Sequence, residues 1–232
     1  PFTNKAEFDF PLFRENVRYA QRMMDDIVDL EIEKIDAIFA KIDNDPEPEK
    51  IKFVEKELWE KIKDTAIRGR RTGLGITGEG DMLAALGLRY GSGEATAFSE
   101  NVHKTMAIEA YRESVNMAKE RGIFPIYNAE REKNNPFIKR VIEADEELGR
   151  EMVIHGRRNI QLLTVAPTGS VSIETQTTSG LENVFDMFYD RKTKINPKDK
   201  KARVEEIDKE TGNSWQKYKI FHHKFVDWLK IK

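Results

Sequence analysis

The chain has 232 residues, of which 39 are Lys or Arg and 41 are Asp or Glu, so its formal net charge at pH 7 is −2. This balance argues against direct binding of nucleic acid, which needs a sustained excess of basic residues. Cysteine is absent, which excludes a disulfide framework, a thiolate metal site and a cysteine nucleophile within these residues. Because no long apolar run and no basic-then-apolar leader occurs, we expect a cytoplasmic protein without a membrane segment.

Two long helices are predicted in the first third of the chain. Apolar residues recur every three, four or seven positions through residues 13–42, which is typical of one apolar stripe on a helix. Pro46 ends this pattern, because proline cannot continue a helix and disfavours helix in the residue before it. A second helix is predicted from Glu47 to Arg70. Neither end of the chain resembles a domain boundary, so we expect a fragment, a split-gene product or a trimmed protein.

A glycine-rich segment interrupts the helical pattern. Residues 73–78 read Gly-Leu-Gly-Ile-Thr-Gly and fit the G-x-G-x-x-G spacing of dinucleotide-binding turns. That reading also needs a preceding strand and an acidic residue about 20 positions later. Residues 47–70 have a helical pattern instead of a strand pattern. No isolated acidic residue stands in a suitable place about 20 positions after the glycines. We therefore interpret the segment as a tight turn between a strand and a helix over 81–88, where glycine permits close approach of backbones.

The following elements predict the fold class. A helix is expected over residues 95–121, ended by Gly122. Another begins at Pro136, and its buried face is predicted to carry Phe137, Val141, Leu148 and Met152. Residues 184–189 are compatible with a strand, residues 190–217 with a charged surface excursion, and 223–230 with a helix. Long helices alternating with short strands predict an α/β protein with mainly parallel strand pairing.

The most informative stretch follows a predicted buried strand at residues 160–166. The chain continues as Pro167, Thr168, Gly169, Ser170, Val171 and Ser172, and further hydroxyl side chains recur as far as Ser179. A strand that opens into a Thr/Gly/Ser turn presents backbone N–H groups and hydroxyls in one small volume, which suits an anion. A polar loop after a core strand is the alternative, and composition alone favours it.

No catalytic or metal-ligating residue is predicted. None of the four histidines has a carboxylate or histidine at a recognised metal-ligand spacing, so surface or structural roles are favoured for His103, His155, His222 and His223. Glu174 and Glu182 flank the hydroxyl-rich segment. A carboxylate beside a phosphate site would repel the ligand, so neither glutamate is assigned a catalytic role.

Separated blocks of the chain agree, in order, with one enzyme family. The most specific block is Val165–Ser172 followed by Thr178–Glu182. The other blocks are Arg70–Gly75, Arg89-Tyr90, Arg158-Asn159, Ser214–Gln216 and Phe221–Phe225. Together they resemble the large catalytic subunit of ribonucleotide reductases over nearly the whole chain. One departure is Asn183, which stands where the family commonly has proline.

The resemblance implies a fold and a site. The fold would be the C-terminal half of a ten-stranded α/β barrel with long flanking helices. Residues 1–189 would form a partial catalytic barrel domain, and residues 190–232 a charged excursion and the start of a further barrel element. In this family the Pro-Thr-Gly-Ser-Val-Ser turn holds the substrate's phosphates, so Pro167–Ser172 would contact phosphate. The family's radical cysteine and its redox-active cysteine pair would lie outside these residues.

The resemblance also implies a cofactor and partners. The wording of Thr164–Ser172 is most similar to adenosylcobalamin-dependent enzymes, although enzymes with a separate metallo-radical subunit use closely similar segments. The partners would be the N-terminal part of the same enzyme, a ribonucleotide substrate and further copies in an oligomer. Two alternatives stay open: a stand-alone nucleotide- or phosphate-binding module, and an inactive structural partner without redox chemistry.

Overall fold

Helices form most of the secondary structure in the computed structural model, which describes residues 1–196, 198–199 and 201–231. The helices are α1 Phe10–Asn44, α2 Glu49–Gly69, α3 Glu79–Ala85, α4 Gly93–Arg121, α5 Ala129–Glu132, α6 Pro136–Ala144, α7 Glu146–His155, α8 Gly169–Thr175 and α9 His223–Ile231. The strands are β1 Phe188–Lys194, β2 Glu206–Ile207 and β3 Ser214–Phe221.

The chain divides into two compact units. The helical unit comprises Phe8–Ile76 and Gly91–Ala166. The hairpin unit comprises Pro1–Glu7, Thr77–Tyr90 and Pro167–Lys232. Each unit is therefore assembled from segments that are distant in sequence.

The predicted long helices are confirmed in the helical unit. The side chain of Asp9 caps α1 by accepting the N–H of Leu12, and α1 ends before the extended residue Asp45 that precedes Pro46. Helix α1 packs against α2 and α4. Gly122 ends α4 at a φ of +87°, a conformation that glycine adopts readily. The core of this unit consists of Val17, Met106, Ala110, Tyr111, Val115, Ile138, Val141, Leu148, Met152 and Leu162.

The helix predicted to begin at Pro136 is two helices. Asp145 adopts an extended conformation between α6 and α7. Its side chain accepts the N–H of Leu148, which caps the second helix. The apolar spacing continues across this break, so periodicity alone did not reveal it.

Parallel pairing, which the sequence predicted as the main type, is confined in the described residues to one short contact. Leu74 and Leu163 form an isolated parallel bridge. The N–H of Leu74 donates to the carbonyl of Leu162 at 2.7 Å, and the N–H of Thr164 donates to the carbonyl of Leu74 at 2.9 Å. The predicted buried strand at 160–166 is thus an extended segment with a single partner. A ten-stranded barrel is not present in the described part of the chain.

The sheet in the hairpin unit is antiparallel, which corrects the expectation of mainly parallel pairing. Its strand order is β1-β3-β2, and the β1–β3 register runs from Phe188 opposite Phe221 to Lys194 opposite Trp215. Residues 190–217, predicted to be a surface excursion, therefore contribute most of the sheet. The turn after Asp208 brings β2 back onto β3, because the N–H of Gly212 donates to the Asp208 carbonyl at 2.8 Å. No helix among the described residues is both long enough and apolar enough to cross a membrane.

Candidate phosphate-binding site

The predicted phosphate loop leads directly into helix α8. Thr168 is the residue before the helix and has φ 47° and ψ 28°, in the left-handed region. Gly169, Ser170 and Val171 form the first turn of α8 and are exposed. The first intrahelical hydrogen bond runs from the N–H of Ser172 to the carbonyl of Thr168 at 2.9 Å. The N–H groups of Gly169, Ser170 and Val171 therefore have no acceptor within the helix.

Two of the three hydroxyl groups of the loop, those of Thr168 and Ser172, form hydrogen bonds within the hairpin unit. The Oγ1 of Thr168 accepts the N–H of Gly180 at 2.7 Å and lies 3.0 Å from the Oγ1 of Thr77. The Oγ of Ser172 donates to the carbonyl of Gly169 at 2.8 Å and lies 2.9 Å from the Oγ of Ser179. Both hydroxyls thus connect the loop to the rest of the hairpin unit.

Ser170 differs from the other two hydroxyl residues. Its side chain is exposed, and its hydroxyl has no hydrogen-bond partner within the described residues. A methyl group added to the neighbouring Gly169 would meet no atom within 4 Å. The space in front of the first turn is therefore open.

Residues 78–81 and residues 178–180 hydrogen-bond to each other next to the loop. The N–H of Gly78 donates to the carbonyl of Thr178 at 2.9 Å, and the N–H of Glu79 donates to the carbonyl of Gly180 at 3.3 Å. The buried carboxylate of Asp81 accepts the N–H of Thr178 at 2.9 Å. Thr77 and Asp81 were not predicted from the sequence to be part of this site, because their partners lie about a hundred residues later in the chain.

The other candidates from the sequence occupy different roles. The glycine-rich segment follows helix α2 rather than a strand, so the dinucleotide-binding pattern lacks its structural context. Glu174 and Glu182 are exposed. The Nε2 of His222 lies 3.8 Å from the carboxylate of Asp81, a separation that supports an ion pair only when the imidazole is protonated.

The chemistry of the exposed turn suits an anion. Its donors are peptide N–H groups and a hydroxyl, which stabilise negative charge without lysine or arginine. These donors offer no ligand to cobalt, so the turn itself is not assigned a role in holding adenosylcobalamin. The turn therefore places neutral donors at the start of a helix, an arrangement that suits an anionic group.

A family model described as the ribonucleotide reductase barrel domain matches residues 2–218. The chain therefore belongs to the ribonucleotide reductase barrel-domain family, which confirms the resemblance seen in the sequence.

Individual relatives agree with this assignment. The chain is 30% identical over 186 residues to a vitamin B12-dependent ribonucleoside-diphosphate reductase of Thermoplasma acidophilum, covering 80% of this chain and 19% of that protein. It is 30% identical over 139 residues to the enzyme of the same description from Mycobacterium tuberculosis H37Rv, covering 60% of this chain and 17% of that protein. A ribonucleoside-diphosphate reductase subunit alpha of Treponema pallidum is 31% identical over 123 residues, covering 52% of this chain and 15% of that protein. The chain thus spans less than a fifth of the length of these relatives.

Proposed function

We propose that this chain forms part of the catalytic barrel of a ribonucleotide reductase large subunit and that Pro167–Ser172 binds the phosphates of the ribonucleotide substrate. The observation that supports this most directly is the open first turn of α8. Gly169, Ser170 and Val171 are exposed there, while the hydroxyls of Thr168 and Ser172 are bonded to their own unit.

The first turn of α8 offers several donors to one ligand. Three successive N–H groups precede the first intrahelical bond, so each needs an acceptor from outside the helix. A phosphate supplies several acceptor oxygens at once, and the Ser170 hydroxyl adds a further donor. The absence of a side chain at Gly169 leaves room for a phosphate to approach the backbone. Thr168 and Ser172 would then shape the loop, and the direct contacts would come from Gly169–Val171.

The reaction would be divided between this chain and other residues. The chain has no cysteine, so a thiyl radical and the reducing thiols must come from elsewhere in the enzyme. The N-terminal part of the same enzyme is the proposed source, within an oligomeric, cytoplasmic reductase. Residues 1–189 would belong to the barrel and residues 190–232 to a further element of it. The B12-dependent relatives support adenosylcobalamin as the group that initiates the radical when bound.

The substitution Ser170→Glu tests the phosphate assignment in the complete large subunit. The new carboxylate would lie next to the bound phosphates, and repulsion between like charges at about 5 Å should raise the substrate KM by about tenfold or more. The kcat at saturating substrate should change much less, because no reacting atom is touched. Steady-state kinetics with the nucleotide substrate gives both values.

Thr175→Glu is the matched control. It places the same charge on the same short helix, at an exposed position in the last turn. We expect the KM of this variant to stay within about twofold of the parent enzyme, since the charge lies away from the first turn. An unchanged KM in Ser170→Glu would refute the phosphate assignment.

This chain alone should reduce no nucleotide, and activity should appear when the N-terminal part is added.

A further inference from the structure

Thr168 adopts a conformation that its side chain disfavours. Its φ of 47° lies in the left-handed region, which a β-branched residue rarely occupies without support from its surroundings. The conformation matters because Thr168 immediately precedes α8. The orientation of the Thr168 backbone sets the direction in which the N–H groups of Gly169–Val171 point.

A chain of hydrogen bonds holds Thr168 in this conformation. The N–H of Gly180 donates to the Oγ1 of Thr168 at 2.7 Å. The Oγ1 atoms of Thr168 and Thr77 lie 3.0 Å apart, and the Oγ1 of Thr77 donates to the carbonyl of Thr178 at 2.9 Å. Each hydroxyl has one proton. Since the Thr77 proton goes to Thr178, the Thr168 hydroxyl must donate to Thr77.

Thr77 is the central residue of this series of hydrogen bonds. Its hydroxyl accepts from Thr168, donates to Thr178, and also lies 3.3 Å from the backbone nitrogen of Gly180. Thr77 is itself held by its neighbour Gly78, whose N–H donates to the carbonyl of Thr178 at 2.9 Å. The Thr77 hydroxyl therefore joins Thr168 on one side of the loop to Thr178 and Gly180 on the other.

We infer that Thr77 is a positioning residue for the phosphate loop, acting through Thr168 on the N–H groups of α8. This inference rests on the proposed function, since it assigns a role to Thr77 only if the loop binds phosphate. The hydrogen bonds of the Thr77 hydroxyl go to Thr168, Thr178 and Gly180 and not to the exposed first turn. Its effect is on how well the donors are aligned before substrate arrives.

The substitution Thr77→Val in the complete large subunit tests this role. Valine keeps the shape of threonine and removes the hydrogen bonds of the hydroxyl. Thr168 then keeps the hydrogen bond from Gly180 but loses the acceptor for its own hydroxyl, so its left-handed conformation is less well supported. The substrate KM should therefore rise by about tenfold while kcat at saturation stays within about twofold. Binding of inorganic pyrophosphate, measured by calorimetry, should weaken by a similar factor, whereas binding of the unphosphorylated ribonucleoside should not change.

The conservative variant Thr77→Ser keeps the hydroxyl and should restore parental KM and pyrophosphate binding. Thr175→Val is the matched control, because it removes a hydroxyl that bonds only within and just after α8. A double-mutant cycle with Thr168→Gly adds a test of mechanism, since glycine adopts this φ without support. In the Thr168→Gly background, Thr77→Val should have less than about a third of its effect.

The outcomes separate this inference from the proposed function. If Ser170→Glu leaves KM unchanged, the loop does not bind phosphate and both conclusions fail. If Ser170→Glu weakens binding but Thr77→Val does not, the positioning role alone is wrong. Equal losses of kcat and of nucleoside binding in Thr77→Val would show general damage to the fold and also contradict the role. If Thr77→Val does not fold, Thr77→Ala and the Thr77→Ser rescue are compared by the same pyrophosphate measurement, and equal binding in these two variants would contradict the role.

Discussion

Asp25 shows how a single residue organises the helical unit. It is a fully buried carboxylate on α1, where the apolar stripe would predict an apolar side chain. Its oxygens accept from the Nε of Arg70 at 2.8 Å, the Nε of Arg158 at 3.2 Å and the Nδ2 of Asn159 at 2.8 Å. Asp26 and Asp29 lie nearby and also bind arginines. Arginine side chains of the same unit therefore neutralise the carboxylates of Asp25, Asp26 and Asp29.

The pKa of Asp25 reflects the balance between burial and these partners. Burial alone would raise the pKa of the Asp25 carboxyl, but the hydrogen bond and charge of Arg70, with Asn159 and Arg158, outweigh burial and hold the pKa below its ordinary value. A carboxyl whose folded-state pKa is depressed stabilises the fold above its unfolded pKa. That stabilisation is lost as the pH falls through the folded pKa.

We therefore predict that Asp25→Asn destabilises the fold by about 3 kcal/mol at pH 7, because it removes the buried carboxylate that faces the buried Arg70 and the partly buried Arg158. The variant should also lose less stability than the parent as the pH falls below about 5, since it has no carboxyl to protonate at this position. Urea unfolding of the complete subunit across this pH range measures both effects. Asp26→Asn is the control: its side chain is half exposed, and we expect a loss of less than about 1 kcal/mol. Equal losses in the two variants would contradict the argument.

At the scale of elements, close approach between two extended segments is made possible by glycine. A methyl group on Gly75 would lie 2.7 Å from the carbonyl oxygen of Thr164, which is backbone and cannot rotate away. The same two segments carry the parallel bridge between Leu74 and Leu163. The glycine-rich sequence that resembled a dinucleotide-binding turn therefore serves strand pairing.

We predict that Gly75→Ala lowers the free energy of unfolding by about 2 kcal/mol, because the two segments must move apart. Gly93→Ala is the matched control. Gly93 is the first residue of α4, and a methyl group there would meet nothing within 4 Å. That variant should be neutral or stabilising by up to about 1 kcal/mol, since alanine favours helix. Thermal unfolding of both variants checks the difference, and an equal change in the two would count against the steric explanation.

At the scale of the whole molecule, large apolar side chains remain uncovered. Helix α1 exposes Tyr19, Met23, Ile27 and Leu30, each by more than half, and Phe185 is fully exposed. The extended segments at 70–76 and 160–164 bond to each other and to no further strand within the described residues. Surfaces and strand edges of this kind are normally covered by other protein.

We therefore predict that this chain on its own self-associates or depends on a partner. Light scattering at micromolar concentration should show dimers or larger species, and an apolar dye should bind more strongly than to the complete subunit. Adding the N-terminal part should reduce both signals. A monodisperse monomer that binds no dye would contradict the interpretation of the chain as part of a larger barrel.

Local patterns were sufficient to predict several elements. The apolar spacing in 13–42 predicted α1, Pro46 and Gly122 marked two helix ends, and the hydroxyl-rich loop was identified from its composition and its resemblance to the family. Each of these signals depends on residues within a few positions of one another, because helix propensity and capping are local interactions. The sequence by itself therefore determined the main helices and the position of the candidate loop.

Only the tertiary structure decided which distant residues meet. Arg157 is 1% exposed, between the rings of Tyr111 and Phe124, where a charged residue would not be expected from sequence. Thr77 and Thr168 are 91 residues apart, yet their hydroxyls share a hydrogen bond. Such contacts depend on how the backbone brings remote segments together, and no local pattern records them. For the same reason the antiparallel sheet and the hydrogen bonds of Thr77 could be seen only in the folded structure.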